Sequence, residues 1–316
     1  MLGEKIDYWL LRPLVHGRNR ATEEELDREG STSLLGDQET TKLPRILARF
    51  EGHFPLSPSL RYLDIGCGSG ELTLALAKRI AETYQRPPRI VGVDFLPRFV
   101  QRARANARQA GLEDHVRFEC ADIHEWQAPH PFDVAISFDA LEHIANPGAF
   151  LASMQRHLAP GGIAAISFGP LFHSPFGDHM DPFFRVPVPW RGLLFSERAI
   201  LRLRSEFYRP TDGARRLTEV AGGLNLMRYS DFLRDAREAG WRLRYLRTNT
   251  FLRNGIARRL AASLAQHPRI GDYFMHNVYA VMEPARAALD RSAAAFAGGK
   301  PSKYSSFPSG RRRTAP

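Results

Sequence analysis

The chain has 316 residues, 43% of them hydrophobic and 25% charged, an ordinary globular composition with room for one large domain or two small ones. No apolar run approaches the roughly 18 residues of a membrane-spanning helix, and Met1-Leu-Gly-Glu-Lys-Ile-Asp lacks the apolar core of a secretion signal. The net charge of +10 is unevenly placed: residues 284–316 hold seven basic residues and one acid, so +6 belongs to the tail. That tail has few large apolar residues and recurrent Gly, Pro and Ser, which reads as a disordered, solvated end more than a nucleic-acid anchor. The two cysteines, Cys67 and Cys120, sit in no metal-ligand spacing and fit a reducing cytoplasmic location.

Residues 1–55 read as an N-terminal helical extension, either a packing cap or a lid. An apolar patch runs from Ile6 to Val15, an acidic stretch from Ala21 to Glu29, and a helix from Leu43 to Phe50 with Pro44 in its first turn. Tyr62, Leu63 and Ile65 are strand residues. Gly66, Gly68 and Gly70 alternate after them, and Glu71 to Tyr84 has helical periodicity. A strand, a glycine turn and a helix start make a cradle for a small molecule, because glycine permits positive φ and lets a ligand approach the backbone.

A βα alternation continues from there. Strands are expected at Arg89–Asp94, Val116–Cys120, Phe132–Phe138 and Ile163–Phe168, with helices over Pro97–Ala110 and Gly148–Leu158 and a turn at Pro160-Gly161-Gly162. Strands alternating with helices imply a parallel sheet with right-handed crossovers. Residues 169–228 are rich in Pro, Phe and His and have no long period. A helix over Tyr229–Ala239, a strand from Trp241 to Arg247, a helical insertion over about 250–271 and a last strand at Asn277–Met282 close the domain.

Two cofactor classes use a strand, a glycine turn and a helix. Dinucleotide-binding domains use G-x-G-x-x-G. Here the spacing is G-x-G-x-G, and Glu71, where a third glycine would come, would repel a pyrophosphate. Five stretches in order resemble instead the class I S-adenosylmethionine-dependent methyltransferases. They are Leu63-Asp-Ile-Gly-Cys-Gly-Ser-Gly70, Asp94 closing the second strand, Ala121-Asp122-Ile123, Asp133 to Ile144 with Leu141-Glu-His-Ile, and Leu158-Ala-Pro-Gly-Gly162. The resemblance covers residues 60–170 well and 229–283 more loosely. It implies an α/β, Rossmann-like, seven-stranded mostly parallel sheet with helices on both faces and the last strand antiparallel. The methyltransferase domain would span 56–283, with a substrate or lid insertion at 170–228, and residues 284–316 as the basic tail.

The resemblance also implies roles. Gly66, Cys67, Gly68 and Gly70 would hold the methionine part of S-adenosylmethionine, with Cys67 a small packing residue. Asp64 would accept near its ammonium, and Asp94 would accept both ribose hydroxyls. Phe95 would pack on the adenine, with Asp122 and Ile123 beside it, and Phe138 would face the methyl donor. The competing reading of Asp122 is a turn residue.

A hydroxyl acceptor needs a base, and the candidates are His143, His173 and His179, each weighed against a structural role. Asp139, Glu142 and His143 resemble a magnesium-holding D/E-x-x-E-H arrangement of some family members, yet no metal is expected. Arg242, Arg244, Arg247, Arg253, Arg258 and Arg259 form either a solvated face or contacts to a phosphorylated acceptor. The expected activity is methyl transfer to a small-molecule acceptor, O-methylation foremost, with a glycan, lipid-linked or secondary-metabolite hydroxyl. Alternatives are an RNA or protein methyltransferase and a non-catalytic cofactor-binding scaffold. Against nucleic acid, residues 138–142 read Phe-Asp-Ala-Leu-Glu where base N-methylation uses Asn/Asp-Pro-Pro-Tyr/Phe.

Overall fold

Short runs of β-branched and aromatic residues, bounded by turn residues, form the strands. They are β1 (Arg61–Ile65), β2 (Arg89–Asp94), β3 (Val116–Cys120), β4 (Phe132–Phe138), β5 (Leu158–Phe168), β6 (Trp241–Thr248) and β7 (Val278–Pro284). The computed structural model describes residues 2–15, 41–180, 183–209, 213–220, 223–252 and 255–285. The acidic stretch 21–29 and all of the basic tail beyond residue 285 lie outside the described residues.

The seven strands make one sheet in the order β3-β2-β1-β4-β5-β7-β6. β1 to β5 pair in parallel, and β7 runs antiparallel to both β5 and β6. This is the Rossmann-like, mostly parallel α/β sheet with an antiparallel last strand. Strand order reverses between β1 and β4, and ligands of open α/β sheets bind at such a switch point, beyond the carboxyl ends of the strands.

The helices are α1 (Leu2–Leu11), α2 (Leu43–Arg49), α3 (Glu71–Tyr84), α4 (Pro97–Gln109), α5 (Pro147–Arg156), α6 (Arg191–Leu194), α7 (Glu197–Phe207), α8 (Tyr229–Glu238) and α9 (Gly255–Ala265). Alternation along the strands sorts side chains to two faces. Tyr62, Val134, Ile136 and Ala165 pack with Leu43 and Ile46 of α2, Leu74 and Ile80 of α3 and Val100 of α4. Leu63, Ile65, Ala164 and Ile166 pack on the other face with Phe150 and Met154 of α5 and Phe232 of α8.

Three details differ from the sequence reading. β5 begins at Leu158, and the register jumps from Phe132↔Leu158 to Val134↔Ile163, so Pro160-Gly161-Gly162 is an irregularity inside the strand. Gly162 is favoured there, because a Cβ would lie 3.0 to 3.2 Å from the carbonyl oxygens of Ala159, Phe132 and Asp133. Second, the region without a long period contains the eleven-residue helix α7. Its Ala199, Ile200 and Leu203 bury against Tyr8 and Leu11 of α1, and Val15 and Phe184 share a β-bridge. The start of the chain thus packs into a small cap with the 170–228 segment, while α2 packs on the sheet. Third, the helical insertion is shorter than read: α9 ends at Ala265, and a 3-10 turn follows at Gly271–Tyr273. Among the described residues no helix is long and apolar enough to cross a membrane.

Candidate active site

The glycine turn is stitched to the neighbouring strand. Gly66 N–H and Cys67 N–H both donate to the Val93 carbonyl, at 2.9 and 3.3 Å. Gly66, Gly68 and Gly70 have φ of 75°, 53° and 80°, the left-handed region where glycine carries no Cβ penalty. The last two serve different ends. A Cβ on Gly70 would lie 2.6 Å from the Phe118 ring, so that glycine is needed for packing. Around Gly68 nothing lies within 4 Å of a Cβ position, so its backbone faces open space.

Gly68 and Asp94 meet. Gly68 N–H donates to Asp94 Oδ2 at 3.0 Å, and Leu96 N–H donates to Oδ1 at 2.9 Å. Asp94 is only 9% exposed. A carboxylate offers about four acceptor positions, so two remain for a ligand. Asp64 is 4% exposed and accepts Thr73 Oγ1–H at 2.5 Å. Burial pushes its carboxyl up to about 7; the Thr73 bond opposes this, and the Asp94 charge adds to it. Thr73, the first polar residue on the buried face of α3, was missed in the sequence reading. So was Asn106, a buried polar residue of α4 whose Nδ2 donates to the Ser69 carbonyl at 2.9 Å and braces the turn.

The remaining candidates divide. Phe95 is 65% exposed beside Asp94, and Ile123 is buried. Asp122 is exposed, and its Oδ1 accepts His124 N–H at 2.8 Å, which is the turn role weighed against adenine recognition. Cys67 spends its N–H on Val93, and burial pushes its thiol well up, so it stays neutral. Phe138 needs correcting: its ring does not face open space for a methyl donor but is buried against Phe50 and Phe54, with centroids 5.9 and 6.0 Å away. The α2 end and the turn after it occupy that side of β4.

Two of the three histidines come together. The His143 and His179 rings meet edge to face, 5.4 Å between centroids. His143 is exposed, and its Nδ1 lies 2.8 Å from the Gly223 carbonyl. A carbonyl only accepts, so Nδ1 carries the proton and Nε2 is left as an acceptor. His179 Nε2 likewise donates to the Pro170 carbonyl at 3.2 Å, and burial lowers its pKa. His173 lies apart, against Phe172 and Tyr273. His276, which sequence reasoning did not single out, is pushed down to about 4 by burial and by His179.

Asp139, Glu142 and His143 do not converge on a common point. Asp139 pairs with Lys42 at 2.8 Å, and Glu142 Oε1 accepts Gly169 N–H at 3.0 Å. Glu142 is buried, and that burial, then the Asp139 charge, pushes it up to about 8. Among the described residues no three potential metal ligands cluster.

The segment after β5 is pinned shut by a buried pair: Arg191 Nε and Nη2 donate to Asp178 Oδ2 and Oδ1 at 2.8 and 2.7 Å. Open space lies elsewhere. A cleft of about 1270 Å³ is lined by α2, the end of β6, α9 and the approach to β7, with His276 and Tyr279 in its wall. Of the arginines read from the sequence, Arg242 and Arg244 pair with the buried Glu283 and Arg247 with Glu51. Arg258 lines the cleft, Arg259 is exposed, and Arg253 lies outside the described residues.

Residues 56–170 match the family model described as a methyltransferase domain. A ubiquinone biosynthesis O-methyltransferase of Caulobacter sp. (strain K31) is 36% identical over 125 residues, which is 38% of this chain and 46% of that protein. The 27-O-demethylrifamycin SV methyltransferase of Amycolatopsis mediterranei (strain S699) is 33% identical over 138 residues, 43% of this chain and 48% of that protein. The matched region thus spans about half the length of these relatives. A solved S-adenosylmethionine-dependent methyltransferase from Clostridium acetobutylicum overlays loosely, with TM-score 0.48 and 12% identity over 83% of this chain and 98% of that one. Over residues 56–170 the chain is thus similar to methyltransferase domains.

Proposed function

We propose that the chain transfers a methyl group from S-adenosylmethionine to a hydroxyl of a small-molecule acceptor. The junction of Gly68 with Asp94 carries the reading. The open backbone at Gly68 admits the methionine part of the cofactor. The two unused acceptor positions of Asp94 suit a pair of ribose hydroxyls. Phe95, exposed beside them, offers a ring face to the adenine. Asp64, kept partly protonated by burial, becomes a full carboxylate when a ligand ammonium stands near it.

When bound, S-adenosylmethionine supplies a methyl group already activated on a sulfonium. The protein's share is then to position the acceptor and take its proton. His143 is suited to proton removal, because the Gly223 carbonyl fixes its tautomer and Nε2 receives the hydroxyl proton as the oxygen gains the methyl group. His179 braces that ring. Oxygen as the methylated atom is favoured by the O-methylation in the names of the relatives, and their acceptors make lipid-linked and secondary-metabolite hydroxyls the first to try. The two free cysteines suit a reducing, cytoplasmic setting.

The test is formation of S-adenosylhomocysteine with a panel of hydroxylated quinone and secondary-metabolite acceptors, each with and without a phosphoryl group. Turnover on a hydroxyl should fall roughly 10²- to 10⁴-fold in His143→Ala, with cofactor affinity kept. Turnover unaffected by that substitution would remove His143 from the chemistry. No binding of S-adenosylhomocysteine at all would remove the reading itself.

A further inference from the structure

We infer that the acceptor is anionic, and that its phosphoryl group is held by arginines of the cleft beside the methyl-transfer site. This rests on the methyltransferase reading for what the cleft serves, while anion binding by the cleft stands independently of it.

Four guanidinium side chains line the cleft: Arg45 and Arg49 from α2, Arg247 from the end of β6, and Arg258 from α9. The spacing of Arg45 and Arg49 by four residues places them on one face of a helix. Arg247 is held by Glu51. Arg45, Arg49 and Arg258 make no carboxylate pair among the described residues, and the cleft wall contains one carboxylate, Asp272, whose Oδ1 accepts Tyr229 N–H at 3.1 Å. Arginines from three elements facing one concavity, against Asp272 in its wall and Glu51 on Arg247, form a net positive site. Planar forks of this kind pair bidentately with phosphate oxygens. The two positive charges left over suit a doubly charged phosphoryl group better than one carboxylate. Phe251, Met275 and Tyr279 in the same wall give an apolar surface for the rest of the molecule.

The cleft also lies in the right place. Thr248 and Phe168 both pair with Val278, so the end of β6 shares the carboxyl edge of the sheet with the end of β5. His276 and Tyr279 belong to the cleft wall and also sense the site: burial and then His179 lower the pKa of the first, and burial and then Asp139 raise that of the second. α2 bridges the two regions, with Lys42 before its first turn on Asp139 and Arg45 and Arg49 in the cleft. Its far end is fixed by Tyr245 Oη–H donating to the Arg49 carbonyl at 2.6 Å, a backbone contact that survives truncation of the arginine.

The probe is inorganic pyrophosphate, measured by calorimetry at physiological ionic strength on the full chain. We expect saturable binding that weakens at least tenfold in the double substitution Arg45→Ala with Arg49→Ala, and at least threefold in Arg258→Ala. Arg79→Ala removes an exposed charge on α3, away from the cleft, and should change the affinity less than twofold. S-adenosylhomocysteine, titrated into the same variants, should bind as in the wild type, which shows that they are folded. Absent pyrophosphate binding, or equal weakening by Arg79→Ala, overturns the proposal. Pyrophosphate binding without any S-adenosylhomocysteine binding would sustain the anion site and fail the methyltransferase reading instead.

Discussion

Asp64 and Glu142 are buried carboxyl groups whose protonation couples folding to pH. Their folded pKa values stand near 7 and 8, above the ordinary carboxylate range. Below about pH 4 both are protonated in the folded and unfolded chains alike. As pH rises the unfolded chain ionises first, so stability declines until pH passes the folded values. The buried histidines, with lowered pKa values, act in the opposite sense, so the test is a difference: from pH 5.5 to pH 8.5 the Tm of Glu142→Gln should fall less, or rise more, than that of the wild type; identical pH profiles would contradict the burial of Glu142. Gly68 and Gly70 make a second contrast at this scale. Gly70→Ala drives a methyl group into Phe118 and should cost roughly 1–3 kcal/mol in chemical denaturation. Gly68→Ala meets no atom, so only its left-handed backbone is penalised, about 1–2 kcal/mol. Its main effect should be weaker binding of S-adenosylhomocysteine.

Among the elements, the cap of α1 with the 170–228 segment depends on the Asp178–Arg191 pair. Arg191 is fully buried, and its guanidinium also lies 3.9 Å from the Phe184 ring centroid. Removing one partner strands a buried charge, so Asp178→Ala should destabilise by about 3–5 kcal/mol. Hydrogen exchange should show the cap loosening before the sheet. The sheet itself was legible in the chain because short, nearly continuous apolar runs between turn residues mark strands buried on both faces, and β1 to β4 fall where Arg61–Ile65 and its successors predict. The cap was not legible. α7 reads as a helix only once Tyr8 and Leu11, nearly 200 residues earlier, supply the apolar surface for Ala199 and Leu203. The candidate site was legible to the same degree. Gly68 and Asp94 declare themselves through spacing. Thr73, His276 and the cleft arginines gain meaning only from what lies opposite them, and Phe138 was misplaced because nothing local announces that Phe50 and Phe54 cover it.

At the scale of the whole molecule, one edge of the sheet gathers everything with chemical content. The glycine turn and Asp94 stand at the β1/β4 switch, the histidine pair beyond β4 and β5, and the arginine cleft beyond the end of β6 and before the start of β7. α2 touches both the Asp139 region and the cleft, so displacement of that helix by an acceptor would be felt at both. The central claim is that this edge holds S-adenosylmethionine through Asp94. It is tested most directly by calorimetric titration of S-adenosylhomocysteine into the wild type and Asp94→Ala. Hydrogen bonds to a charged group contribute about 1.5–3 kcal/mol each, so affinity should fall at least tenfold in the variant, with the fold retained by circular dichroism. Unchanged affinity in Asp94→Ala, or tight binding of NAD in place of S-adenosylhomocysteine, would contradict the account.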